Sequence, residues 1–491
     1  MASELGSVAI LARAIFAQAV LAGDSEERIL VGIFLFTSRR QKRVLEMCPR
    51  AATVATVLAA IGSEAAPDQP QFSAFTWKND APNDIPFKRS SLFTEVEFTG
   101  RYATYGGADT WYPSWGADGN LYTPWTDGAV NGVRAFSGCA SEGCMSKTGF
   151  ATVTGDHALN LTVQDVGTFD SSPSPYHGRY PCGSLYYNST WFYGTYTLDN
   201  ENHQPGSLSR EPIETQLRFG RAGYCDNWCI QGPFAGFRWS RDKGNTWHEP
   251  RVHMKGWDDN IFGEQAPDNH TSKVKYGAPH VVDLGRELEH APQGDDTPMM
   301  YVVGHGTHES ESPSSWMQGS DVYIARVAPT VEAVEDRAQW EFYAGDGKWV
   351  AGDVQQARPL LSWGNRTGVT TMTYIPAVKR YIMCISTPTF SPFTEEEFDT
   401  YFLESEGITG PFSYITYMRM FGPESYFVNI PSKFVSPSVD PEDGSLSLFL
   451  SYSANFAFHS GANPPGSGYH WTLQEIKFRP GHNATQRQVF V

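Results

Sequence analysis

The sequence predicts an all-β chain folded as a five-bladed β-propeller with a central active-site cleft. Two observations carry this. The 491 residues are 14% aromatic and include 46 Gly and 32 Pro, with few helical patterns. Such a chain favours short strands joined by turns. Blocks that pair an aromatic strand with a strand ending in a Gly or Asp-Gly turn recur at irregular intervals, mostly about 50–70 residues, as repeated blades do.

Taken in order, the blocks begin with Ala108–Gly128. Ala151–Thr197 follows, with the strongly aromatic run Leu185–Thr197, and then Phe234–Trp247. The fourth runs from Tyr276 through Met300–Val303 to Asp321–Val327, and the fifth holds Ala357–Leu361, Thr370–Tyr374 and Tyr381–Thr387. The last comprises Phe434–Val439, the turn Pro441-Glu442-Asp443-Gly444, Ser445–Tyr452 and the closing strand Trp471–Phe478. The count suggests five or six blades, and five follows if the opening and closing blocks share one. A β-sandwich with long insertions is the competing architecture. Val331–Trp340 is at most one short helix. No break in composition marks a second domain, so residues 100–478 are expected to be the propeller, 66–99 a linker or packed arm, and 479–491 a tail.

Residues 1–65 read as a presequence. Met47 begins a stretch with a basic start, an apolar core at Ala51–Gly62 and a small-residue site before Ala66, which is the layout of a signal peptide at 47–65. Five Asn-x-Ser/Thr sequons, at Asn160, Asn188, Asn269, Asn365 and Asn483, fit a glycosylated secreted protein. Removing Cys48 from seven cysteines leaves six. One pairing among several is Cys139–Cys144, Cys225–Cys229 and Cys182–Cys384. A net charge of −17 makes nucleic acid and anionic membrane surfaces poor partners. The chain is expected to be a secreted, extracellular monomer whose partner is a polysaccharide or oligosaccharide, with no metal or other cofactor.

The candidate site lies in the first block, Ala-Asp-Thr-Trp-Tyr-Pro-Ser-Trp-Gly-Ala-Asp-Gly-Asn-Leu-Tyr-Thr-Pro-Trp-Thr-Asp-Gly. Two aromatic runs flank the turn residues 116–119, so the segment reads as a hairpin. A register symmetric about residue 118 sets Asp109 opposite Asp127, Trp111 opposite Trp125 and Trp115 opposite Leu121. Two facing carboxylates repel unless they share a proton or bind a cation. Paired carboxylates beside indoles suit glycoside hydrolysis, with one carboxyl as acid, the other as base or nucleophile, and the indoles as sugar platforms. The structural alternative makes Asp109 a strand cap and Asp127 a turn former.

The segment from Asp109 to Gly128 resembles the opening blade of the propeller family catalogued as domain of unknown function 4185, which includes the endo-D-arabinanases of glycoside hydrolase family 183. The resemblance extends over most of residues 100–478 and is sharpest in this hairpin. It implies a propeller hydrolase with Asp109 and Asp127 as the catalytic pair. A second segment, Ser240-Arg-Asp242-Lys-Gly244-Asn-Thr246-Trp247, resembles the Asp box of sialidases and other propeller proteins. Its chemistry is that of a tight turn, with Asp and Ser holding amides and Trp packing beneath, so Asp242 is not expected to be catalytic.

Further candidates for binding substrate are His280, His305, Arg358 and Glu424, with Asp353, near strand ends of later blocks. Asp156-His157 and His177-Gly-Arg179 lie in loops of the second block. His305-Gly-Thr-His308-Glu309 has no further ligand to complete a metal set. There is no Gly-x-Ser-x-Gly elbow and no nucleotide-type Gly loop. The competing functions are a sialidase, which needs an arginine cluster and a Tyr/Glu pair; a uronic-acid lyase, which needs a Tyr or His base; and a sugar-binding propeller without turnover.

Overall fold

The computed structural model describes residues 69–137, 147–170, 178–199, 229–249, 260–264, 274–292, 298–307, 316–388, 398–454 and 463–481. Contacts divide the chain into Met1–Ala65 and Ala66–Val491, and every described residue belongs to the second unit. The signal region, Cys139, Cys144, Cys225, His177, His308, Glu309 and the sequons at Asn269 and Asn483 lie outside the described residues, as do the side chains of Arg179 and Cys229.

Five sheets form the five blades of a propeller, each running outward from an inner strand. The first blade has Gly107–Asp109 and Ser114–Trp115 innermost, then Leu121–Val130, Lys147–His157 and Asn160–Asp170. The second is Gly178–Tyr187, Thr190–Asp199 and Cys229–Ser240. The third starts from Gly277–Val281, the fourth from Val369–Ile375 and the fifth from Tyr426–Asn429. Glu95–Tyr105 pairs with Trp471–Arg479, so the start of the propeller supplies an outer strand of its last blade. The opening block Ala108–Gly128 and the closing strand do not share a blade: the fifth blade is completed by Glu95–Tyr105, which precedes that block, and five blades follow from this closure instead. The arm before residue 95 packs on the domain: Phe75–Thr76 adds to the fifth blade, and Lys88–Arg89 runs parallel to Ser413–Met418 in the fourth.

Alternation explains these strands. Val96 and Phe98 are buried in Glu-Val-Glu-Phe while the glutamates between them are half-exposed, the period of two that a pleated strand imposes. The only helical piece in 331–340 longer than a single turn of three is Val331–Val334, capped by Thr330, whose hydroxyl accepts the Ala333 amide.

Ser240–Trp247 forms the tight turn expected of it. Asp242 accepts from the Thr246 amide at 2.8 Å and the Thr246 hydroxyl at 2.6 Å, and the Gly244 amide donates to Ser240 Oγ at 2.8 Å. Trp247 packs beneath against Phe150, Phe169 and Trp191. One expectation fails: Cys182 and Cys384 are buried thiols, not a disulfide. Cys182 is on the inner strand of the second blade and Cys384 within the fourth, in separate hydrophobic clusters. A disulfide needs Cα atoms roughly 4.4–6.8 Å apart, which residues packed in different blades do not offer.

Candidate active site

Asp109 ends the first inner strand segment, and Asp127 lies late in the strand returning beside it. Both therefore stand at the end of the propeller where inner strands begin. The register departs from the symmetric hairpin there. Trp115 faces Leu121 as expected, but a bulge intervenes and Asp109 faces Thr126, not Asp127. In a regular strand that slip would send Asp127 to the opposite face. Asp127 instead adopts φ 50°, a left-handed conformation that breaks the alternation and is costly for a residue with a Cβ. Gly128 makes the close approach possible: a Cβ there would lie 2.0 Å from the carbonyl oxygen of Gly107.

The two carboxylates are tied into one network. Asp109 is 7% exposed. Its Oδ1 accepts from Thr110 Oγ1 at 2.7 Å, and its Oδ2 from Tyr426 Oη at 2.7 Å. Tyr469 Oη is 3.2 Å from Asp109 Oδ2 and 2.6 Å from the main-chain oxygen of Asp127. Asp127 Oδ1 accepts the Ser137 amide at 2.7 Å. Burial, and then the charge of Asp127, push the Asp109 carboxyl up to about 8, against the lowering pull of the Thr110, Tyr426 and Tyr469 hydroxyls. Desolvation wins because a buried anion loses more from water than three hydroxyls return. Asp109 therefore holds a proton at neutral pH. The hydrogen bonds agree with this. A phenol has one proton, and the shorter contact of Tyr469 is to Asp127. With that proton placed there, a protonated Asp109 donates to the phenol oxygen of Tyr469.

Tyr180 and Tyr196, in the second blade, also lie within the field of both aspartates, and Tyr112 within that of Asp109. The structure thus gathers tyrosines from the first, second and fifth blades around the pair, together with Tyr469. None was legible as a site residue beforehand. The only signal available was position: Tyr426 opens the innermost strand of its blade, and Tyr469 immediately precedes a closing strand.

The other candidates divide. Trp111 and Trp125 are 1% and 0% exposed, so they are not sugar platforms. Trp111 lies between Trp125, at 6.5 Å, and Trp471, at 4.9 Å, in near-parallel stacks. A Cβ on Gly149 would lie 2.2 Å from the Trp125 ring. Both indoles are spent on packing the first blade against the fifth. Glu424, buried, stands two residues before Tyr426 and belongs to the same end of the propeller. His280 packs at a tilt against Tyr112, 4.0 Å between ring centres, and burial with the neighbouring His305 pushes it down to about 3, so it is neutral. His305 is buried on the second strand of the third blade, opposite Gly277.

Arg358 is exposed, its amide bonded to Tyr343 on an outer strand of the third blade, and Asp353 caps a short turn there. Neither joins the central site. Asp156 pairs with Lys433, and His157 stacks edge-on near Phe449. A cleft of about 500 Å³, open mouth included, lies beyond Tyr112 and His280, lined by Ser114, Leu185, Val282, Asp283 and Thr373. These are the later residues of the inner strands, and neither catalytic candidate lines that cleft. The chemistry of the paired carboxylates places the site at the opposite end.

No protein-family model matches the chain. No curated protein matches it. Solved structures similar to it include the α-L-arabinofuranosidase of Podospora anserina in complex with cellotriose, 8% identical, covering 84% of this chain and 98% of that one, with a TM-score of 0.37. The GH43_1 enzyme of Xanthomonas citri is 10% identical, covering 79% of this chain and 91% of that one, with a TM-score of 0.34. The catalytic domain of a GH62 α-L-arabinofuranosidase of Coprinopsis cinerea is 8% identical, covering 84% and 98%, with a TM-score of 0.35.

Proposed function

We propose that this chain is a secreted glycoside hydrolase that cleaves a polysaccharide with Asp109 and Asp127. The observation that carries the reading is Asp109, a buried carboxyl raised to about 8 beside a second carboxylate. A carboxyl that keeps its proton at neutral pH can give it to a leaving oxygen, and an ionised neighbour can attack the sugar or activate water. Asp109 is then the general acid and Asp127 the base or nucleophile. The likeness of the first hairpin to endo-D-arabinanases favours a furanose-containing glycan. With both tryptophans buried, an exposed aromatic remains in Phe136, 56% exposed and next in the chain to Ser137, whose amide holds Asp127. It is the candidate sugar platform.

The competing chemistries fit less well. Burial and nearby carboxylates push Tyr426 and Tyr469 well above the ordinary phenol range. Phenols held protonated make poor nucleophiles and poor bases, which disfavours sialidase and lyase mechanisms. The direct test is reducing-end release from a panel of arabinans, arabinoxylan and other neutral and acidic polysaccharides. Release by the native protein that disappears in Asp109→Asn and Asp127→Asn supports the proposal. No release from any polysaccharide overturns it, and undiminished release by both variants overturns the residue assignment.

A further inference from the structure

Tyr469 touches both halves of the pair in different ways. Its hydroxyl meets a side-chain oxygen of Asp109 and the main-chain oxygen of Asp127. Tyr426 donates to Asp109 Oδ2 at 2.7 Å and lies within hydrogen-bonding reach of Tyr469. The Asp127 carbonyl that Tyr469 holds belongs to the residue whose backbone is left-handed, a conformation that persists only where its surroundings enforce it.

Resting on the hydrolase reading, we propose that Tyr469 is a positioning residue whose hydroxyl proton couples the charge state of Asp109 to the placement of Asp127. In the resting enzyme the phenol donates to the Asp127 carbonyl and fixes that backbone, while the proton on Asp109 rests against the phenol oxygen. As the glycosidic C–O bond breaks, Asp109 passes its proton to the leaving oxygen and becomes a carboxylate. The Tyr469 O–H then turns to the new anion, its proton staying on the phenol oxygen throughout. A water supplies the hydroxyl at the anomeric carbon and gives its other proton to the Asp127 carboxylate; after the product leaves, Asp127 releases that proton to solvent and Asp109 takes one back from solvent, which closes the cycle. The negative charge on Asp109 thereby meets two phenol donors at the moment it forms, which is when a hydrogen bond accelerates the reaction.

The groups that face Asp109 and Tyr469 are Thr110, Tyr426 and Asp127, with Tyr112, Tyr180 and Tyr196 in the next layer. Burial and the Asp127 charge oppose ionisation of Asp109 while the Thr110, Tyr426 and Tyr469 hydroxyls favour it, so losing a donor to its anion moves its titration upward.

The experiment compares Tyr469→Phe and Tyr426→Phe with the native full chain in two readouts. On a polysaccharide that the native protein cleaves, Tyr469→Phe should lower kcat about tenfold or more with KM within about threefold, and shift the alkaline limb of the profile upward by about half a pH unit or more. Tyr426→Phe should shift that limb the same way with a smaller loss of kcat, because it leaves Asp127 held. The second readout needs no substrate: the deficit in unfolding midpoint of Tyr469→Phe should widen between pH 5 and pH 9 as Asp109 ionises. A constant deficit with an unmoved profile would mark Tyr469 as merely structural and overturn the coupling, leaving the hydrolase reading intact. A widening deficit in a protein that cleaves no polysaccharide would support the coupling and overturn the hydrolase reading.

Discussion

Asp109 ends an inner strand and Asp242 sits in a tight turn of the same propeller, and their environments drive them in opposite directions. Asp242 is half-exposed, and the Thr246 hydroxyl, the Thr246 amide and the Ser240 hydroxyl hold its carboxylate down to about 2. Three hydroxyls, those of Thr110, Tyr426 and Tyr469, stand ready to hold the Asp109 anion as well, yet it is raised to about 8. Donor count does not separate them. Water does, along with the second carboxylate: Asp242 keeps its hydration, while Asp109 loses it beside Asp127. A carboxylate that only builds a turn is settled as an anion. One buried beside a second carboxylate keeps its proton because the anion is costly there, at the expense of stability, which suits the acid role proposed for Asp109.

The largest effect that sharpens this contrast should come from Asp127→Asn, which should reduce kcat by about a thousandfold, measured by reducing-end release, with an unfolding midpoint at or above native. Trp111→Ala should cost roughly 3–5 kcal/mol in denaturant unfolding and act through loss of folded protein, because the indole packs two blades together and meets no substrate. Phe136→Ala should raise KM about tenfold, close to 1.4 kcal/mol, with kcat nearly unchanged and Phe136→Tyr close to native. An unchanged KM removes Phe136 as a platform. The smallest effect should be in Asp242→Asn, which should keep native kcat and lower the unfolding midpoint slightly. Since the folded Asp242 titrates below its ordinary value of 3.8, its contribution is present above about pH 4 and lost as pH falls toward 2, so the difference from native should fade over that window.

What could be read from the chain follows the range of each interaction. The individual strands, the blade repeat and the Asp-box turn are encoded within a few dozen residues of themselves, and alternation and turn chemistry expose them; the closure of the last blade, which pairs Glu95–Tyr105 with Trp471–Arg479, is not local. The register around Asp109 was not legible, because a bulge and a left-handed Asp127 replace the regular pairing. The side of Trp111 and Trp125 was not legible either. An indole looks alike in a sequence whether it faces a cleft or a neighbouring blade, and Trp471, which stacks on Trp111, lies 360 residues away along the chain (Trp111 to Trp471). Tyr426 and Tyr469 reach Asp109 from 317 and 360 residues away, beyond any local pattern. Arg358 failed for the opposite reason: its place near a strand end is real, but that end is at an outer strand of its blade.

The central claim is that Asp109 is held protonated for catalysis at a cost in stability. Asp109→Asn measured against the native chain for both turnover and thermal unfolding from pH 4 to pH 9 tests it most directly. The folded carboxyl titrates near 8 and the unfolded one near its ordinary 3.8, so the native fold binds the extra proton and loses stability as pH rises through that interval. Asp109→Asn should therefore lose about a thousandfold in kcat while its unfolding midpoint rises relative to native, little at pH 4 and most above pH 8. Near-native turnover, or a midpoint that falls below native across this range, would contradict the account and leave Asp109 as a structural cap.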